Sequence, residues 1–198
     1  VMETTSEQKQ LYNKQAQMNI LAFWFLIGAE VVVFGCLFGI YLAVKTLTSD
    51  GPGPNELFKL NEIMLSTVIL LTSSFTCALA IYFLNLSRKT WTLLFFLITI
   101  ILGLAFVGLE IREFTLYVKE GATISTSAFL GAFYMLLGTH GFHVLLGVIW
   151  ITLLLVQLSL RGINQEIAPK LFIASLYWHF IDVIWVMIFT VVYLIGKV

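Results

Sequence analysis

The chain has 198 residues, of which 60% are hydrophobic and only 11% charged, with 11 Lys and Arg balanced by 11 Asp and Glu. A water-soluble domain carries about 25% charged residues, so this composition excludes one and describes an integral membrane protein. A net charge of zero removes the basic footprint of nucleic-acid binding, and no nucleic-acid partner is expected.

A helix needs about 20 apolar residues to cross the hydrocarbon core. Residues 1–19 are polar and Gln-rich, with no sign of a cleavable signal sequence, so the first span is expected to insert and stay. That span covers about residues 20–44 and is interrupted by Glu30. It carries Gly35-Cys36-Leu37-Phe38-Gly39, a GxxxG pattern that would let another helix approach. Asp50-Gly51-Pro52-Gly53-Pro54-Asn55 reads as a turn. The second span, about 63–87, has no charged residue, and Arg88-Lys89 forms a basic turn after it. The third, about 91–109, is expected to end at Glu110, with Gly121 breaking the next connection. The fourth, about 125–160, has only His140 and His143 as ionisable groups. It is too long for one upright helix and too short for two with a turn. With no Pro or charge cluster inside, it reads as one long tilted helix. Arg161 to Pro169 forms the last connection, and the fifth span, about 171–195, contains His179 and Asp182. The two cysteines, Cys36 and Cys77, lie in apolar spans without a CxxC and read as reduced packing residues.

The predicted fold is therefore an all-α membrane protein. It is an antiparallel bundle of five transmembrane helices in one domain over residues 20–198, with its termini on opposite sides. Six Lys and Arg on the N-terminal side against five on the other, together with the tight Arg88-Lys89 turn, place the N-terminus inside.

All three histidines fall within the spans, beside Glu30, Glu110 and Asp182. A carboxylate at the centre of a membrane helix costs about 2.5–3.5 kcal/mol on insertion scales, so such residues are normally paired and face protein. His179 and Asp182 are three apart and share a helix face, as do His140 and His143. Each pair is expected to form a structural unit. Glu30 has no charged partner in its own span and must find His140, His143 or a bound lipid. Three readings remain open at this point. A b-type haem could use His140 and His179 as axial ligands. A proton or ion path could use Glu30 and Asp182, although no internal repeat of the transporter kind is visible. Alternatively, the polar groups lock the helices together and to a partner.

Four segments carry a resemblance. Tyr177-Trp178-His179-Phe180-Ile181-Asp182-Val183-Ile184-Trp185, followed by Tyr193, resembles the last helix of subunit III of haem–copper terminal oxidases. Gly138-Thr139-His140-Gly141-Phe142-His143-Val144 resembles the helix before it, and Ala29-Glu30-Val31 the family's membrane carboxylate motif. Gly108-Leu109-Glu110 to Glu113-Phe114 resembles its acidic segment. The order is that of the family, in its short five-helix bacterial form. Thr72 to Cys77 and Ala168 to Ile173 resemble quinol-oxidising members, the menaquinol oxidases of the Bacillus type, and the branch that oxidises cytochrome c is similar.

The resemblance implies an accessory subunit with no catalytic centre, haem, copper or other metal of its own. Oxygen reduction, quinol oxidation and proton pumping would belong to partner subunits, mainly subunit I with its haem and copper. Subunit II and a small subunit IV would stand beside them in a bacterial plasma membrane. It further implies that Glu30 lies near subunit I and phospholipid and bonds a histidine of the fourth span. The His140, His143, His179 and Asp182 groups become structural under this reading, and Glu110 and Glu113 helix-end acids. By electrostatics alone, Arg88 and Lys89 are candidate contacts for phospholipid headgroups.

Overall fold

The computed structural model describes residues 2–48, 60–164 and 166–195. The expected turn over Asp50–Asn55 lies outside them. Five long helices follow in order: α1 (Met2–Val44), α2 (Leu60–Asn85), α3 (Lys89–Lys119), α4 (Ala128–Arg161) and α5 (Ile167–Ile188). A π-helical turn, Phe189–Leu194, continues α5. Each helix contains a stretch long and apolar enough to cross a membrane. The fourth span is a single helix of 34 residues, about 50 Å long, and so exceeds a hydrocarbon core of about 30 Å.

The boundaries correct the sequence reading at two places. The third span does not stop at Glu110; α3 runs nine residues further to Lys119. A charge does not end a helix when its face is buried, and Glu110 and Tyr117 turn inward here while Ile111, Arg112 and Val118 face out. The helix ends at Gly121, with φ +84°. Gly121 N–H donates to Val118 O and Ala122 N–H to Tyr117 O, the two bonds of a Schellman stop. Pro169 belongs to α5 rather than to the connection before it. It sits in the first turn, where its missing N–H breaks no helical hydrogen bond. Asn164 Oδ1 accepts from Glu166 N–H and Ile167 N–H at 3.1 and 2.8 Å and starts the helix. At the head of α4, Ser127 Oγ accepts from Leu130 N–H at 3.2 Å, an N-cap.

Packing divides the helices into four and one. α2 packs on α3, α3 on α4, α4 on α5 and α5 back on α2, which closes a ring. α1 lies outside this ring against α4 and α5. Only 11% of the apolar stretch of α1 is buried, against 56% in α5. Phe23, Phe34, Phe38 and Tyr41 form an inward stripe on it. A Cβ at Gly28, Gly35 or Gly39 would meet nothing within 4 Å, so among the described residues no helix packs on the GxxxG face.

Tryptophans fill the ring. Trp178 packs into a slot formed by Gly103 of α3 and Gly147 of α4, where a Cβ would come within 2.6 and 3.1 Å of the indole. Trp185 stands edge-on to Phe106 at 4.7 Å.

Candidate functional site

Glu30 points from α1 towards α4. Its Oε2 lies 3.1 Å from His143 Nε2, at ion-pair distance but without an aligned hydrogen bond. His143 Nδ1 is 2.7 Å from Thr139 O. A carbonyl oxygen only accepts, so Nδ1 carries a proton. Nε2 then faces Glu30, and two lone pairs at that distance would repel. A proton shared by the two, as imidazolium with carboxylate or as imidazole with carboxyl, would make the contact attractive. Both forms are neutral overall, which suits a site within the span. Phe34 meets the His143 ring edge-on at 5.4 Å, and Tyr177 OH donates to His143 O at 3.3 Å. A groove of about 420 Å³ opens beside the pair, lined mainly by Leu26, Leu146, Ile149, Trp150 and Leu153.

The two i, i+3 pairs do not form. His143 turns to α1, while His140 turns into the ring, fully buried, with Nε2 3.4 Å from Ile181 O. Phe106 and Trp185 enclose the His140 ring. His179 is also separated from Asp182: its Nδ1 bonds Ser74 Oγ of α2 at 2.7 Å. Both Asp182 oxygens are buried without a hydrogen bond, although Ser74 lies close to that carboxylate. On a helix, i and i+3 share a face, but they pair only if neither has a better partner. Here each ring plane is claimed by a neighbouring helix.

For the side chains of α5 that neighbour is α2, whose hydroxyls the sequence reading did not single out as partners. Ser73 Oγ accepts from Trp178 Nε1–H at 3.1 Å and itself donates to Leu70 O. Thr67 Oγ1 accepts from Trp185 Nε1–H at 3.1 Å. Thr76 and Thr99 hydroxyls meet at 2.8 Å and tie α2 to α3. The available signal was Thr72-Ser73-Ser74-Phe75-Thr76, a hydroxyl run inside an apolar span with two indoles to satisfy elsewhere.

The acidic residues of α3 are not at its end. Glu110 is 6% exposed and lies over Gly141, where any Cβ would collide with the carboxylate. Glu113 Oε1 accepts from Tyr117 OH and from Tyr193 OH, the latter at 3.3 Å from the π-helical turn. No group of three or more His, Cys, Asp or Glu among the described residues is placed to hold a metal ion. His140 is buried between Phe106 and Trp185, and His179 bonds Ser74 of α2. Cys36 and Cys77 are free thiols, exposed and buried respectively.

Five spans and the ordered motifs agree with a family comparison. The model of the family "Cytochrome c oxidase subunit III" matches residues 1–197. The chain belongs to that family. Among curated relatives, "Quinol oxidase subunit 3" of Bacillus subtilis is 48% identical over 184 residues, 93% of this chain and 90% of the relative. "Cytochrome c oxidase subunit 3" of Bacillus sp. strain PS3 is 50% identical over 93% of this chain and 89% of its own. "Probable quinol oxidase subunit 3" of Staphylococcus saprophyticus is 45% identical, covering 93% and 92%. As a subunit III, the chain is one part of an oxidase complex and a multi-pass membrane protein. In this subunit III the basic turn is also defined: Lys89 Nζ donates to Ser159 O at 2.9 Å, across α3 and α4, and Arg88 is exposed.

Proposed function

We propose that the chain is the accessory subunit III of a proton-pumping quinol oxidase in a bacterial plasma membrane, with its N-terminus inside. Haem, copper and the oxygen chemistry belong to subunit I, with subunit II and a small subunit IV alongside. The carrying observation is the identity of 45–48% over about nine-tenths of both chains to relatives named as quinol oxidase subunits. The side chains support a role without a catalytic centre. Each imidazole, buried at His140 and half-buried at His143 and His179, serves packing: His140 between aromatic rings, His143 to α1 and His179 to α2. Glu30 and His143 hold α1 on the ring and form the polar floor of an apolar groove, which suits a phospholipid acyl chain near subunit I.

The second reading is subunit III of a cytochrome c oxidase, favoured by the 50% identity to the Bacillus sp. strain PS3 protein. Purifying the complex that contains this chain and comparing turnover on menaquinol with turnover on reduced cytochrome c separates the two. Quinol oxidation is expected; turnover on cytochrome c alone would replace the first reading by the second. A haem band from the isolated chain would overturn both.

A further inference from the structure

A second groove lies on the face of the ring between α3 and α4, at the end where Arg88 and Arg161 emerge. It has a volume of about 400 Å³ and is lined mainly by Leu93, Leu94 and Leu97 of α3 and Leu155 and Val156 of α4. Thr90 and Ser159 form its polar mouth. From Thr90 to Leu97 the groove follows about 10 Å of helix, a third of a hydrocarbon core.

The charge at the mouth is one-sided. Lys89 Nζ is pinned to Ser159 O at 2.9 Å, which places the ammonium over the groove and leaves two of its three donors unused by that bond. Arg88 precedes the first turn of α3, a turn with no acidic residue, and Arg161 ends α4. Both guanidinium-bearing residues are exposed. Lys170 is exposed at the same end, and in the two connections there the described acid is Glu166, beyond the Gly162 turn. Trp91 is 46% exposed in the first turn of α3, at the level where indoles favour the headgroup region. An apolar slot under a cluster of cations matches an amphiphile with an anionic head and an acyl tail. A free anion would use the mouth and leave the slot unexplained; a zwitterionic lipid would use the slot and not the charge.

We infer that the α3–α4 groove is a binding site for an anionic phospholipid, with its phosphate at Lys89, Arg88 and Arg161 and one acyl chain along Leu93–Leu97. The site is separate from the Glu30 groove and does not depend on which electron donor the oxidase uses.

The test is native mass spectrometry of the complex, purified with its other subunits and equilibrated in vesicles of mixed phosphatidylglycerol and phosphatidylcholine. Wild type is expected to keep one phosphatidylglycerol more than Arg161→Gln at limiting lipid, with affinity falling roughly fivefold per charge removed. Lys89→Gln should fall further, but it also removes a cap from α4. Val156→Phe therefore provides an independent arm: it fills the slot, keeps every charge and should lose the same lipid. Equal retention of the two lipids, or unchanged phosphatidylglycerol in both Arg161→Gln and Val156→Phe, would overturn the inference. Displacement by millimolar inorganic phosphate with no acyl-chain dependence would overturn it too, in favour of a simple anion site.

Discussion

At the scale of single residues, the Glu30–His143 contact separates charge from hydrogen bonding. Because Thr139 O fixes the proton on Nδ1, the Nε2 side needs one proton from either partner. Glu30→Gln supplies it permanently, since an amide N–H can donate to Nε2. Its expected cost is under about 1 kcal/mol, the range of a typical hydrogen bond. His143→Leu is different, because it leaves a carboxylate facing an apolar groove. It should cost about 1–3 kcal/mol, and the double change Glu30→Leu with His143→Leu should recover part of that. Thermal release of α1 from the ring, followed by a fluorophore on Cys36, measures all three. A His143→Leu protein as stable as Glu30→Gln would show that the pair carries no stability. Gly103 gives a second residue-scale test. Trp178 is held by its bond to Ser73, so the indole has little room to retreat from a Cβ at 2.6 Å. Gly103→Ala should destabilise the chain by about 1–3 kcal/mol, an overpacking cost. Gly35→Ala, on the open face of α1, should be neutral in the same thermal assay.

At the scale of elements, α2 acts as the polar spine of the ring. It satisfies Trp178, His179 and Trp185 within about two turns, through Ser73, Ser74 and Thr67. Interhelical bonds of this kind average about 0.6 kcal/mol in membranes, so the spine sets register more than it adds stability. The partner of His179 decides a mutational outcome. Had the imidazole paired with Asp182, Asp182→Asn would have loosened α5. With Ser74 as partner, Asp182→Asn should leave subunit III bound to its complex, while Ser74→Ala should weaken α2–α5 packing. Retention of the subunit through a detergent wash reads this, and the reverse order would restore the intrahelical pair. The difference shows what one sequence can carry. Existence and type of the five helices were legible, because a run of some 20 apolar residues has few alternatives. Helix ends were less so, since Glu110 stops a hydropathy count but not a helix. Side-chain partners were least legible. Spacing along one helix identifies residues that share a face, but it does not reveal which neighbouring helix meets that face.

At the scale of the molecule, the arrangement is a closed four-helix ring with a fifth helix attached to one side. Sequence alone pointed to five antiparallel helices, but not to this inequality. All five spans are similarly apolar, and the distinction lies in which helices return to touch each other. It has a consequence for folding units. The ring contains the tryptophan slots, the α2 hydroxyl contacts, the buried Glu110 and the half-buried Glu113, and among the described residues none of these uses α1. α1 is joined by an aromatic stripe, by Glu30 to His143, and by Phe129 N–H donating to Leu47 O at 3.3 Å. Residues 60–198 expressed without α1 should therefore insert and keep the helical content and cooperative melt of a four-helix bundle. The exposed imidazole of His143 would be left facing lipid, so His143→Leu, costly in the full chain, should become neutral or stabilising in the fragment. Circular dichroism melts in detergent micelles measure both. A fragment without a cooperative transition would make α1 part of the core, and a fragment destabilised by His143→Leu would place the main partner of that imidazole inside the ring rather than on Glu30.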